Sequence, residues 1–204
     1  ENKNTTLYVV NKTADSVVVF LTLGADTNYV VDVNGIFGIT GSGMQGSFVL
    51  YSKDSVSYQS LIGKGFSGNI TFGTPPINCP DTALFPNGIN LYEFSLNNNF
   101  KGISDAQETI DISCVAGVNC KLKCIVSDNN WNDGDSNVKS FENSYLYDNV
   151  FRVGVYPYLC DTCTGSKNPP DCIGGKKYSQ PQKKSICNVQ RDASKNGGNV
   201  VVIY

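Results

Sequence analysis

The chain has 204 residues, of which 40% are hydrophobic and 17% charged, with a formal net charge of −2. That length suits one domain with a true apolar core, and the slight acidity argues against a dedicated nucleic-acid binder, which carries a strong basic excess. Histidine is absent, which excludes a Ser-His-Asp triad, a Cys-His pair and imidazole metal ligands, and no apolar run reaches the ~18 residues of a membrane span.

In chain order, short runs rich in Val, Ile, Phe, Tyr and Thr predict strands at 6–10, 16–23, 29–33, 47–51, 69–72, 91–96, 121–126, 152–158 and 200–204. Gly, Asn, Asp and Pro separate them. No window of twelve residues carries a capped 3.6-residue apolar stripe, so helix is expected to be scarce. Many short strands at close spacing predict an all-β sandwich or barrel. Residues 127–140 (SDNNWNDGDSNVKS) read as a long polar loop. Tyr145, Tyr147, Tyr156 and Tyr158 alternate as if along one sheet face. Segment 160–198 holds seven Lys and Arg against three Asp, with few apolar residues. It cannot build its own core and is expected to lie on the sandwich as a stapled, solvated loop region.

The eight cysteines are Cys79, Cys114, Cys120, Cys124, Cys160, Cys163, Cys172 and Cys187. The Cys160–Cys163 spacing fits one zinc knuckle, but a four-cysteine zinc site usually shows two, and the other close pair is spaced by three residues. An even, high count favours disulfides at all eight, in a connectivity the sequence leaves open. Disulfides imply an oxidising compartment. Sequons at Asn4, Asn11 and Asn69 agree with a glycoprotein, and the start ENKNTT fits a chain after signal removal. The expectation is a secreted, extracellular protein, or a vacuolar one if from a plant. Asp128, Asn130, Asn132, Asp133 and Asp135 supply oxygens that suit calcium. Gly134 falls one place late for an EF-hand loop and Lys139 stands where its Glu would be, so no metal and no cofactor are expected. Trp131, the single Trp, stands among polar residues. It either offers a flat face to a sugar or partner protein or folds back over the sandwich.

Leu91-Tyr92-Glu93-Phe94-Ser95-Leu96-Asn97 resembles the LAEFSLN segment of thaumatin-like (pathogenesis-related group 5) proteins. Ile110-Asp111-Ile112-Ser113 with Val115-Ala116-Gly117-Val118-Asn119 is similar to that family's FDISxVDGFN. LYVVNKTADSVVVF, Gly46-Ser47-Phe48-Val49-Leu50-Tyr51-Ser52, Pro75-Pro76 and the closing SICNVQRDASKNGGNVVVIY resemble further family segments, in the family's order. The resemblance implies one thaumatin-like β-sandwich domain over 1–204, with loop-rich excursions at 127–143 and 159–199. It also implies terminal strands that lie side by side. The family usually carries sixteen cysteines and ties its first strand to its last. Here Thr13 takes the place of the first of those cysteines, so strand pairing and side-chain packing must hold the termini.

The family's cleft is lined by one Arg, one Glu and three Asp, and meets β-1,3-glucan or a protein target. Glu93 and Asp111 match two of these positions, Ala116 replaces the next Asp, and Tyr51 replaces the Arg, with Lys53 the nearest cation. Glu93, Asp111, Tyr51, Lys53 and Trp131 are therefore the candidate ligand-binding residues. The function implied is a defence-type, antifungal class of binding protein, monomeric and non-catalytic, that recognises a polysaccharide or a foreign protein. Two alternatives are a weak endo-β-1,3-glucanase using Glu93 and Asp111 and an inhibitor that docks a stapled loop into another enzyme. Loss of the Asp at Ala116 and of the Arg at Tyr51 is expected to leave the carboxyl pair without the charges that tune it.

Overall fold

The computed structural model describes residues 4–24, 31–34, 38–40, 45–60, 65–75, 89–97, 107–113, 118–127, 130–133, 136–149 and 188–204. The strands are β1 (Thr6–Val10), β2 (Val17–Leu23), β3 (Val31–Asn34), β4 (Gly38–Thr40), β5 (Gln45–Leu50), β6 (Ser55–Ser60), β7 (Phe66–Phe72) and β8 (Leu91–Leu96). Then follow β9 (Gln107–Ser113), β10 (Lys123–Val126), β11 (Asn132–Asp133), β12 (Ser136–Asn137), β13 (Ser140–Glu142), β14 (Asn188–Asp192) and β15 (Asn199–Ile203). One short helix, α1 (Ser144–Asn149), and a 3-10 turn at Ala193–Lys195 complete the described elements.

The strands form two sheets, ordered β13-β10-β15-β1-β6-β3 and β12-β11-β14-β9-β8-β7-β2-β5-β4. The protein is therefore an all-β sandwich, as its strand periodicity predicts. Alternation explains the layering. Along β8, Tyr92, Phe94 and Leu96 are buried while Leu91, Glu93 and Ser95 are half-buried on the other face. The same period-2 pattern turns Val17, Val19, Leu21 and Leu23 of β2 inward. From the six-stranded sheet, Leu7, Val9, Tyr58, Cys124, Val200 and Val202 meet them in one apolar cluster.

The termini are joined without a bridge. β1 runs parallel to β15, with Thr6 opposite Asn199 and Val10 opposite Ile203. The Lys12 amide donates to the Tyr204 carbonyl at 2.8 Å and the Tyr204 amide to Val10 at 2.9 Å. The Tyr204 ring stacks on Phe72 with centroids 5.0 Å apart.

A buried polar cluster ties the two sheets at one end. Arg191 of β14 and Glu108 of β9 form an ion pair at 2.5 Å with neither side chain exposed. Arg191 Nη2 also donates to Thr5 Oγ1 at 2.7 Å and to the Gly197 carbonyl at 2.8 Å. Glu108 Oε1 accepts from the Thr5 hydroxyl at 2.7 Å and the Asn97 amide at 2.6 Å. Both charges are thus surrounded by donors and acceptors, which buried ions require. Asn97 has φ +57°, a left-handed conformation that Asn tolerates. There its side chain exchanges hydrogen bonds with the Thr5 backbone at 2.6 and 3.0 Å.

Several sequence expectations are corrected here. Trp131 is 1% exposed, with the Arg191 guanidinium 4.4 Å above its ring. It is a core residue and presents no face to a ligand, because the cation–π contact and apolar packing hold it inward. The stretch read as a polar loop folds back through β11 and β12 and enters β13. Tyr145 and Tyr147 fall on α1, not on a strand, while Tyr156, Tyr158 and the strand expected at 152–158 lie outside the described residues. Of the excursion at 159–199, the described part is ordered structure, since β14 pairs with β9 and β11. Cys120 and Cys124 are buried free thiols, which corrects the disulfides expected of them. Cys120 Sγ lies 3.6 Å from Asn90 Nδ2 and Cys124 Sγ 3.6 Å from the Tyr92 hydroxyl. Cys79, Cys114, Cys160, Cys163, Cys172 and Cys187 lie outside the described residues.

Candidate functional site

The site is built on the face of the nine-stranded sheet turned away from the core. Glu93 on β8 stands directly opposite Asp111 on β9. The row continues sideways, since Asn69 of β7 faces Glu93, and Thr22 of β2 faces Asn69. The register continues through Gln45 of β5, opposite Thr22, and Asn188 of β14, opposite Asp111. Residues level with one another in a sheet project from the same face, so Thr22, Asn69, Glu93 and Asp111 share one line across the strands. Their chain neighbours Leu21, Ile70, Tyr92, Phe94, Ile110 and Ile112 are buried on the core side. Gly68 permits the close approach of β7 to β2 at this level. A Cβ there would collide with the Thr22 carbonyl oxygen.

Asp111 is largely shielded from water, and its carboxyl is pushed up to about 8. Burial is the largest cause, followed by the like charge of Glu93 and the hydrogen bond between the two groups. Asp111 Oδ1 receives no bond from any N–H or hydroxyl. The carboxyl beside it is that of Glu93, opposite in register. Sequence reasoning had the pair untuned for want of neighbouring charges. That expectation fails for Asp111, because burial first and the facing Glu93 second push its carboxyl up. Ala116 lies outside the described residues.

Two further oxygens on the row are buried without a hydrogen-bond partner, Thr22 Oγ1 and Asn69 Oδ1. Sequence reasoning missed Thr22 as a site residue and took Asn69 only as a sequon. The one available signal was a Thr and an Asn at outward positions of strand-like runs, which is common and uninformative alone.

Tyr51 and Lys53 are not part of this arrangement. β5 is level with the row at Gln45 and reaches Val17 at Leu50. Tyr51 follows, six residues and about 20 Å along the strand direction, three strands away from β8. Tyr51 is exposed, and Lys53, at φ +63°, donates to the Lys12 carbonyl in the turn beside it. The structure thus separates both from the carboxyl pair, correcting their placement in one cleft.

The sequons differ sharply. Asn11 is fully buried, and its Nδ2 donates to the Asp15 carbonyl at 2.8 Å and the Leu50 carbonyl at 3.1 Å. That nitrogen would carry the sugar, so a glycan at Asn11 is incompatible with this fold. Asn69 lies mid-row on an inner strand. Asn4 is half-buried just before β1. Among the described residues no cluster of three or more Cys, Asp and Glu is placed to hold a metal, and no helix is long and apolar enough to cross a membrane.

No family model matches the sequence, and no curated protein matches it. Among solved structures, the chain is similar to the crystal structure of the protein elicitor MoHrip2 from Magnaporthe oryzae. The two share 12% identity at a TM-score of 0.41, over 98% of this chain and 97% of the other.

Proposed function

We propose that this protein is a secreted, monomeric, non-catalytic binding protein of thaumatin-like type that recognises a β-glucan-like polysaccharide on the outer face of its nine-stranded sheet. The observation that carries the reading is the Glu93–Asp111 pair, opposite in register, with Asp111 held protonated by burial and by the charge of Glu93 beside it. Such a pair offers both a donor and acceptors to sugar hydroxyls on a rigid, paired backbone. A defence-type role agrees with the resemblance in the EFSLN-like and DIS-like segments, since Glu93 and Asp111 are the two cleft positions that the chain keeps.

The test pairs binding with turnover. Calorimetry with β-1,3-glucan oligosaccharides should give saturable binding that Glu93→Gln and Asp111→Asn weaken. A reducing-sugar assay on the same preparations should stay at background. Absence of binding to glucan would overturn the ligand class, and turnover abolished by both substitutions would replace binding with catalysis.

A further inference from the structure

Of the three sequons, Asn69-Ile70-Thr71 is set apart by where its side-chain atoms lie. Asn69 is half-buried on the outer face of the nine-stranded sheet. Its Oδ1 is shielded from water, and β7 is paired on both sides, with β2 and β8, which covers the backbone. The exposed part of the residue is therefore the amide nitrogen with the stem behind it. Nδ2 falls outside the set of buried unpartnered atoms, and no hydrogen bond to a described residue holds it. Asn11 is the opposite case, with its Nδ2 buried and donating to two carbonyls. An N-glycan is joined to the protein through Nδ2 alone. The nitrogen of Asn69 is thus free for that bond in the folded protein, whereas the nitrogen of Asn11 is not.

We propose that Asn69 is an N-glycosylation site whose innermost sugar lies over Thr22 and Glu93, so that occupancy divides the protein into a form with a covered carboxyl row and a form with an open one. The proposal rests on the secretory part of the reading above, because the sugar donor is a polyprenyl-diphosphate oligosaccharide of the secretory membrane. In the transfer, Nδ2 forms a bond to the anomeric carbon and loses one proton. The bond from that carbon to the diphosphate oxygen breaks, and the polyprenyl diphosphate leaves. Thr71, which completes the sequon, is fully buried, and its hydroxyl donates to the Thr74 carbonyl at 2.6 Å. Transfer must therefore precede the pairing of β7 with its neighbours, and occupancy is fixed at synthesis. Thr22 and Glu93 flank Asn69 in register, each one strand spacing away, about 4.8 Å. A sugar attached between them spans that distance to either side, and a neutral N-acetylhexosamine sets no charge against Glu93.

The test uses the full chain from a secreting eukaryotic host, beside the same chain made in the bacterial periplasm, where no such glycan is attached. Secreted Asn69→Gln serves as a second bare form. Asn4→Gln is carried in every preparation to remove the other accessible sequon, and it leaves the Asn4 carbonyl that accepts from Gln59 in place. Glycopeptide mapping of the folded secreted protein should find Asn69 occupied in part of the molecules, and intact mass should show one glycan on these. Carbodiimide-coupled labelling of the Glu93 carboxyl, read by peptide mapping, should be several-fold lower in the occupied form than in either bare form. It should stay low after an endoglycosidase trims the glycan to its innermost sugar. An unmodified Asn69 throughout the secreted protein would overturn the site, whether or not Asn4 is occupied in the parent chain. Equal labelling of Glu93 in occupied and bare forms would overturn the covering. Affinity for a β-1,3-glucan hexasaccharide should be at least about tenfold weaker in the occupied form. Absence of binding in the bare forms would remove the polysaccharide reading and leave the attachment site standing.

Discussion

Glu93 and Asp111 face each other across one antiparallel register, and burial of Asp111 beside Glu93 keeps Asp111 protonated at neutral pH. The consequence for stability has a definite sign. Asp111 titrates near 3.8 when unperturbed and near 8 in the folded protein. Below about pH 4 both states hold the proton, and the contribution of this group is fully present. Between about 4 and about 8 unfolding releases it, so stability falls as pH rises, and the contribution is lost above about 8. Urea unfolding should therefore give a lower midpoint at pH 8.5 than Asp111→Asn gives. The wild-type deficit relative to that variant should shrink toward pH 5. A difference between the two proteins that does not vary with pH would mean that Asp111 titrates as an ordinary Asp.

The buried pair of Arg191 and Glu108 should be intolerant of one-sided change. Arg191→Met leaves Glu108 charged in the core and uncovers the Trp131 ring. The expected loss is about 3–5 kcal/mol, read as a shift in denaturant midpoint, with a change in Trp131 fluorescence in the folded state. A loss within about 0.5 kcal/mol, the range of surface substitutions, would contradict the cluster.

Cys120 and Cys124 should be inert thiols. Burial pushes both up to about 12, and the thiolate is the reactive form. Alkylation followed by peptide mapping should leave these two unmodified in the native protein and modify both after denaturation without reductant. Recovery of either in a disulfide-linked peptide would contradict their assignment as free.

Asn11 should carry no glycan even where Asn4 does. Its side chain donates to two carbonyls and accepts from the Thr13 amide and hydroxyl at 2.9 and 2.7 Å. Intact-mass and glycopeptide analysis of protein from a secreting host checks this. Asn11→Ala should destabilise by at least about 1–3 kcal/mol, because the Leu50 carbonyl would be left buried and unpaired. A glycosylated Asn11 in folded protein would contradict the packing of the β1–β2 turn.

Legibility in the sequence followed apolar alternation. Thr6–Val10 and Leu91–Leu96 were bounded correctly because every second residue is a core-facing apolar one. β6 and β14 escaped notice because polar residues dominate them. β6 (SVSYQS) offers Val56 and Tyr58 to the core, and β14 (NVQRD) offers Val189 and a buried Arg191. β9 hides its first inward position behind Glu108, whose partner lies 83 residues away. Trp131 is explained by the same distant Arg191, and nothing in its polar neighbourhood foretells it. In the site, Glu93 and Asp111 were legible through short motifs. Thr22 and Asn69 were not, because their meaning comes from register across strands far apart in the chain. Tyr51 was misplaced because a motif position says nothing of how far a strand carries its end from the carboxyl row.

The most direct measurement is carbon-detected NMR of the Glu93 and Asp111 side-chain carboxyls through a pH titration, with and without a neutral β-1,3-glucan hexasaccharide. The account predicts that the Asp111 carboxyl titrates near 8 and that the resonances of both carboxyls move when the hexasaccharide is added at pH 6. An Asp111 carboxyl that titrates near 3.8, with no response of either group to saturating hexasaccharide, would contradict both the raised Asp111 and the binding site built on it.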